Sequence, residues 1–387
     1  MLGVYIHIPY CLQRCTYCDF ATYVQTEILP PEKYIALVKQ EISLRKHIFA
    51  EKFSGKNLST IYFGGGTPSL IPAPLIIELI QELSRQGFTS GPETEITIEI
   101  NPATVDPKKL DLYLSAGVNR FSVGAQTFHD RLLKSVHREH NAQQTYDTLS
   151  LLKSYNLNFS FDLLFALPTQ TIDELKSDVL TAVELGSSHI SPYCLTVPEG
   201  HPLSKNRPLE DEQIEMFDII HQNLTAHSFH RYEISNYALA GKESKHNLLY
   251  WTDKPYWGLG LSAHSYSKNS VWGERFWNAS NINLYELEIL SGLQQAPTTH
   301  REVLEKHQSL TDFCHTHLRI MQGLSKNMLS EKFGREAAEL VEQRMQSLLQ
   351  RGLIELNNSS WRLTPTGVLV SNQVFEVFSF TKNDIAL

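Results

Sequence analysis

The sequence predicts an α/β fold: a full or partial (β/α) barrel of the TIM type, followed by a small winged-helix-like α+β domain. Three observations carry that reading. Strand-like and helix-like runs alternate from the start of the chain to about residue 235, the rhythm then stops in an aromatic-rich stretch, and a helical pattern closed by a hairpin follows.

The strand-like runs are residues 4–8, 60–63, 95–99, 120–124, 159–165 and 189–194. Between and after them lie amphipathic patterns at 31–49, 74–85, 107–116, 142–155, 172–185 and 211–227. In the first of these, Tyr34, Leu37, Val38, Ile42 and Ile48 recur at helical spacing. Strand–helix alternation implies a parallel sheet with helical crossovers, and six such units suit a barrel better than a short open sheet. The expected organisation is a barrel core over 1–235, a packed connecting region over 236–304 and a winged-helix-like domain over 305–387. Within the last, helices are expected at 312–323, 324–333 and 336–351. The hairpin follows as 353–356, the turn Asn357-Asn358-Ser359-Ser360, and 361–363.

The 387 residues are 42% apolar and 20% charged, enough for a sizeable core, and the formal charge is −8. That balance argues against a partner held mainly through phosphates. The start of the chain shows no basic, apolar and small-residue succession of a signal peptide, and no apolar run approaches the ~20 residues of a membrane span. A cytoplasmic protein is expected. Three of the five cysteines fall within eight residues, which suits thiolate chemistry in a reducing compartment better than disulfides.

Those three are Cys11, Cys15 and Cys18, spaced four and then three residues apart. Three thiolates can hold three irons of a 4Fe–4S cubane and leave the fourth without a protein ligand. The amino and carboxylate groups of S-adenosylmethionine can chelate that iron, and an electron from the cluster can then cleave the sulfonium to give a 5′-deoxyadenosyl radical. The competing reading adds His7 to the three cysteines as a structural zinc site. His7 lies inside an alternating strand, and the rest of the chain favours the cluster. Cys194 and Cys314 stand alone and read as small core residues.

With these residues in hand, the chain resembles the radical S-adenosylmethionine superfamily, whose cluster motif has this spacing and an aromatic residue before the last cysteine. Gly64-Gly65-Gly66-Thr67-Pro68, after the second strand, is similar to that superfamily's methionine-binding glycine motif. The resemblance is closer to the subgroup that holds the oxygen-independent coproporphyrinogen III oxidases and the HemW heme chaperones, and it covers almost the whole chain. It implies S-adenosylmethionine contacts at Tyr5, Tyr17, Gly65, Gly66, Thr67, Glu99, Gln126, Arg138 and Asp162. Their chemistry suits those roles: Arg138 can pair with a carboxylate, and Gln126 and Asp162 can hydrogen-bond ribose hydroxyls. Tyr10 and Ala166 depart mildly from the subgroup's commonest residues.

Within the subgroup, two features favour the chaperones. Phe20 stands where the oxidases carry a fourth cysteine, and only ten residues precede Cys11. Separately, His246-Asn247-Leu248-Leu249-Tyr250-Trp251 matches an HNxxYW motif associated with heme binding, which implies His246 as a heme contact; His264 is a weaker second candidate. The implied function is heme transfer to an acceptor protein, with a transient membrane-protein contact as a further expectation; the oxidase is the alternative. A third reading, nucleic-acid binding through Lys326, Lys332, Arg335, Arg344 and Arg351, competes with interleaved acidic residues and is expected to fail.

Overall fold

Six strands of a parallel sheet open the computed structural model, which describes residues 1–385. They are β1 (Gly3–Ile8), β2 (Thr60–Gly65), β3 (Glu95–Ile100), β4 (Arg120–Gln126), β5 (Phe159–Phe165) and β6 (His189–Cys194), each within two residues of its predicted limits. The crossovers are α1 (Pro31–Arg45), α2 (Ala73–Arg85), α3 (Pro107–Ser115), α4 (Ala142–Ser154), α5 (Ile172–Glu184) and α6 (Glu210–Ala226). Local chemistry sets several of their starts. Asp106 accepts from the Lys109 amide at 2.7 Å ahead of Pro107, and Asn141–Gln144 and Thr171–Glu174 form capping boxes. The first helix is shorter than expected, because the chain breaks at Lys46 and resumes as a separate helix over His47–Phe53.

Alternation along the strands sorts the side chains. Val4, Ile6, Ile8, Phe121, Val123, Phe159, Phe161 and Leu163 are buried in the main apolar core. Their neighbours on the other face are polar: Tyr62, Glu99, Arg120, Ser122, Asp162, His189 and Ser191. Register stacks them, with Thr97 beside Arg120, Ser122 beside Ser160, and Asp162 beside Ser191. A period of two therefore gives the sheet one apolar and one polar face.

The segment 236–304 extends the same sheet. After β7 (His230–Glu233) come β8 (Asn236–Ala238), α7 (Lys245–Trp251), β9 (Tyr256–Leu259), β10 (His264–Ser267), β11 (Glu274–Trp277), α8 (Ile282–Leu290) and β12 (Arg301–Val303). The strand order is β12-β11-β10-β9-β1-β2-β3-β4-β5-β6-β8-β7, so β1 lies between β2 and a parallel β9. Among the described residues the two edge strands do not pair with each other, and the barrel is partial. A buried Glu41–Arg45 pair on α1 (3.0 Å) fastens that helix to the segment that follows β9. Glu41 also accepts from the Gly260 amide, the Asn278 amide group and the Tyr285 hydroxyl.

A second apolar core runs from Leu310 to Ile385. It comprises α9 (Lys306–Arg319), β13 (Leu324–Ser325), α10 (Lys326–Phe333), α11 (Arg335–Gln350), β14 (Ile354–Asn357) and β15 (Ser360–Leu363), with β15 central in a three-stranded sheet. This is the helix–helix–helix–hairpin order expected, except that the first helix starts at Lys306 and ends at Arg319. Lys326 pairs with Glu342, Arg335 with Glu339, Arg344 with Asp384, and Lys332 with Asp253. Trp272 stacks on Phe333 and the Arg319 guanidinium lies over Trp251, so this domain seats against the barrel.

Candidate cluster and cofactor site

The cysteine loop leaves the C-terminal end of β1, where barrel sites are built. Tyr10–Cys11 pairs in parallel with Tyr23–Val24, the Gln25 amide donates to the Cys11 carbonyl at 2.9 Å, and the Cys18 amide donates to Cys15. The loop is thus closed on itself. The glycine segment then clamps it from β2: the Gly66 amide donates to Ile8 (2.9 Å) and the Thr67 amide to Tyr10 (2.7 Å). A Cβ at Gly66 would stand 2.6 Å from the Tyr10 carbonyl oxygen, so this close approach requires glycine. At Gly65, with φ +116°, a Cβ would strike the His7 ring at 2.5 Å.

Cys11, Cys15 and Cys18 line the mouth of a central cavity of about 460 Å³ whose floor is the polar face of the sheet. Burial pushes the Cys11 thiol up to about 11, a cost that iron coordination would reverse. His7 is spoken for, by Tyr5 at Nδ1 (3.1 Å) and the Ala21 carbonyl at Nε2 (2.9 Å). The donor set fits a cluster, whose thiolates reach separate irons, better than zinc.

Eleven of the thirteen residues singled out from the sequence line this cavity: the three cysteines, Tyr17, Gly65, Gly66, Thr67, Glu99, Gln126, Arg138 and Asp162. Gln126 is aimed by a bulge at the end of β4, where it takes φ +70°. Arg138 donates to Asn101 Oδ1 (2.9 Å), to the Gly124 carbonyl and to Cys15 Sγ (3.5 Å), which puts its charge beside the cysteine loop. Glu99 accepts from the Tyr62 hydroxyl (2.8 Å) and the Gly65 amide (3.1 Å); burial pushes its carboxyl up to about 7. Burial likewise lifts Asp162 to about 6, opposed by Ser191, Arg120 and Ser122.

Tyr5 and His246 do not line the cavity. Tyr5 stands behind Tyr62, its ring 6.1 Å away. His246 is 1% exposed at the N-terminal end of the strands, opposite the cysteines. Its Nδ1 shares a 2.6 Å hydrogen bond with Thr60 Oγ1 and its Nε2 a 2.8 Å one with the Tyr250 hydroxyl, while its amide donates to Glu95. Helix α7 thus closes the end of the barrel opposite the cysteines. His264 is exposed on β10 and stacks on Trp277. Cys194 is exposed at the cavity mouth rather than in the core, whereas Cys314 is buried. Sequence reasoning missed Tyr62, Asn101, Arg120 and Asn247, which also line the cavity. The signal was present for Arg120, in the alternation Arg120-x-Ser122-x-Gly124-x-Gln126.

Comparison with known proteins agrees with this geometry. The family model of the Radical SAM superfamily matches residues 5–182, and that of the HemN C-terminal domain matches residues 304–370. A heme chaperone HemW of Bacillus subtilis is 34% identical, over 98% of this chain and 99% of the relative. A HemW of Haemophilus influenzae is 33% identical over 97% of each chain. The solved structure of the Escherichia coli coproporphyrinogen III oxidase HemN, described as a radical SAM enzyme, superposes with a TM-score of 0.82 over 98% of this chain and 90% of its own. At 20% identity that likeness shows the fold. By sequence, by fold and by the placement of its cysteines, the chain belongs to the radical SAM superfamily and, within it, to the family of the HemW heme chaperones.

Proposed function

We propose that this protein is a heme chaperone of the cytoplasm: it carries a 4Fe–4S cluster on Cys11, Cys15 and Cys18, binds S-adenosylmethionine in the central cavity, and binds heme for transfer to an acceptor protein. The observation that carries the reading is full-length similarity, at 33–34% identity, to proteins named heme chaperones. Phe20 supports it. The residue is 64% exposed at the cavity rim, and it places an apolar ring where the resembling oxidases have a fourth cysteine. No helix among the described residues is long and apolar enough to cross a membrane, so an acceptor in a membrane would be met at its surface.

The chain's own residues define what the cavity does. A bound cluster supplies the electron and the vacant iron that radical chemistry requires. Arg138 offers a charge-assisted pair to the cofactor's carboxylate, Glu99 an acceptor to its ammonium, and Gln126 and Asp162 hydrogen bonds to its ribose. The enclosing strands exclude bulk water and strengthen each contact. The three cysteines would hold the cluster, and the glycine segment's clamp to Ile8 and Tyr10 fixes the loop that carries them.

The test is made on the anaerobically reconstituted protein. It should hold one 4Fe–4S cluster, bind hemin, and leave coproporphyrinogen III unchanged; Cys11→Ala, Cys15→Ala and Cys18→Ala should each lose the cluster, and Cys314→Ala should not. Decarboxylation of coproporphyrinogen III by the wild type would replace the chaperone with the oxidase.

A further inference from the structure

A third apolar cluster, smaller than the two cores, lies where the chain leaving β6 meets the cysteine loop. Leu195 and Leu203, from the segment 195–208 between β6 and α6, are buried with Leu164 and Leu167, and Tyr17 of the cysteine loop packs against them. The far end of the segment is anchored to the barrel. Arg207 Nε donates to the Ala166 carbonyl at 3.2 Å and its Nη2 to the Leu195 carbonyl, while the Thr169 amide donates to the Asn206 carbonyl at 2.8 Å. Between these anchors the tip, Pro198-Glu199-Gly200, is exposed.

One side chain crosses from this segment to the cysteine loop. His201 stands ahead of the 3₁₀ turn Pro202–Ser204, and its Nδ1 accepts from the Leu203 amide at 3.1 Å. The ring proton is therefore on Nε2, which donates to the Thr16 carbonyl at 3.1 Å. Thr16 belongs to the turn between Cys15 and Cys18, which the Cys18 amide closes on the Cys15 carbonyl. Among the described residues this is the one hydrogen bond between the segment and the cysteine loop. Cys15, Tyr17 and Cys18 on one side and Cys194, Leu195 and Thr196 on the other line the same cavity, so His201 joins two sides of its mouth. It does not line the cavity itself. A hydrogen bond between neutral groups shifts an equilibrium roughly two- to tenfold, a bias small enough to be undone in every binding cycle.

We propose that residues 195–208 form a strap latched onto the cysteine loop by His201, and that this latch sets how fast S-adenosylmethionine enters and leaves the central cavity. His201 is a positioning residue that acts through Thr16. A ligand passing between the strap and the Cys15–Cys18 turn waits for the two to part, as ligands wait on other lids. The proposal rests on the reading of the central cavity as the S-adenosylmethionine site.

Rapid filtration with radiolabelled S-adenosylmethionine, on the full-length protein carrying its cluster, measures both rate constants. His201→Ala should raise the association and dissociation rates alike, by about fivefold. Its equilibrium affinity should stay within about twofold of wild type and its iron content unchanged. His201→Gln, which keeps a donor near the place of Nε2, should exchange the cofactor at close to the wild-type rates. Wild-type rates in His201→Ala would overturn the latch. So would loss of iron, which would make His201 a support of the cluster ligands, or faster dissociation alone, which would make it a support of the bound state. A wild-type protein that binds no S-adenosylmethionine would overturn the reading of the cavity, and the latch with it.

Discussion

Glu99 is where burial and charge conflict most directly in the central cavity. Burial raises its carboxyl to about 7, against the Tyr62 and Gly65 hydrogen bonds that favour the ionised form. Its folded value lies above the usual 4.5, so the folded chain holds more protons than the unfolded chain between those pH values. The stability tied to that proton is full in acid and lost as pH rises through about 7. Glu99→Gln should therefore stabilise the ligand-free protein at pH 8 by on the order of 2 kcal/mol and change little at pH 4. The same variant should bind S-adenosylmethionine about tenfold more weakly, having lost its charge-assisted acceptor. Denaturant titrations at the two pH values, with calorimetry for the ligand, decide it; a gain independent of pH would clear Glu99 of the conflict. Cys11 was legible in the sequence because few roles suit three cysteines so closely spaced, whereas Gln126 and Arg138 were named by the family resemblance. Tyr62 and Asn101 were not, because a single polar residue in a strand does not disclose which face it occupies or what it meets there.

At the scale of elements, the parallel strands were readable because apolar and β-branched residues recur in each between turns and alternate with helical patterns. The later strands were not: β9 to β12 are three or four residues long and mix aromatic with charged side chains, and their pairing comes from distant partners rather than local pattern. Helix α7 also went unread, since seven residues offer too little periodicity. Its start depends on Glu95, whose carboxylate accepts from the Lys245 amide at 3.1 Å and the His246 amide at 3.0 Å, beside the Ser244 cap. A carboxylate there satisfies two of the helix's free amides and complements its dipole. Glu95→Ala should loosen α7 by about 1–3 kcal/mol. Hydrogen exchange over residues 244–251 should quicken accordingly while cluster content holds; unaltered exchange would show that Ser244 suffices.

For the whole molecule, the junction between the two cores turns on Asp253. Lys268 and Lys332 each approach its Oδ2 at 2.7 Å, one from the barrel and one from α10. Burial alone would raise this carboxyl, but the two ammonium groups hold it below the usual range. Its contribution is thus present above the ordinary carboxylate value and lost as pH falls through the depressed one. Asp253→Asn should destabilise the seating of the C-terminal domain by about 1–3 kcal/mol at pH 7. The gap to wild type should narrow on acidification, as read by scanning calorimetry; a gap that is constant in acid would place the coupling elsewhere, in the Trp272–Phe333 stack. The existence of two cores was legible from the change of pattern. Their docking was not, because it joins residues 79 positions apart that look like ordinary surface charges.

The central position of β1 bears on how each molecule is made. Its first residue, Gly3, partners Thr60 on one side and Tyr256 on the other. A ribosome adding about 5–20 residues per second takes roughly 10–40 seconds to travel between those two partners. Throughout that interval the cysteine loop hangs from a strand with one open edge. Iron delivered then would meet a ligand set still free to move, and oxygen would meet unshielded sulfur. A cluster on that loop would accordingly enter a nearly finished barrel instead of nucleating it.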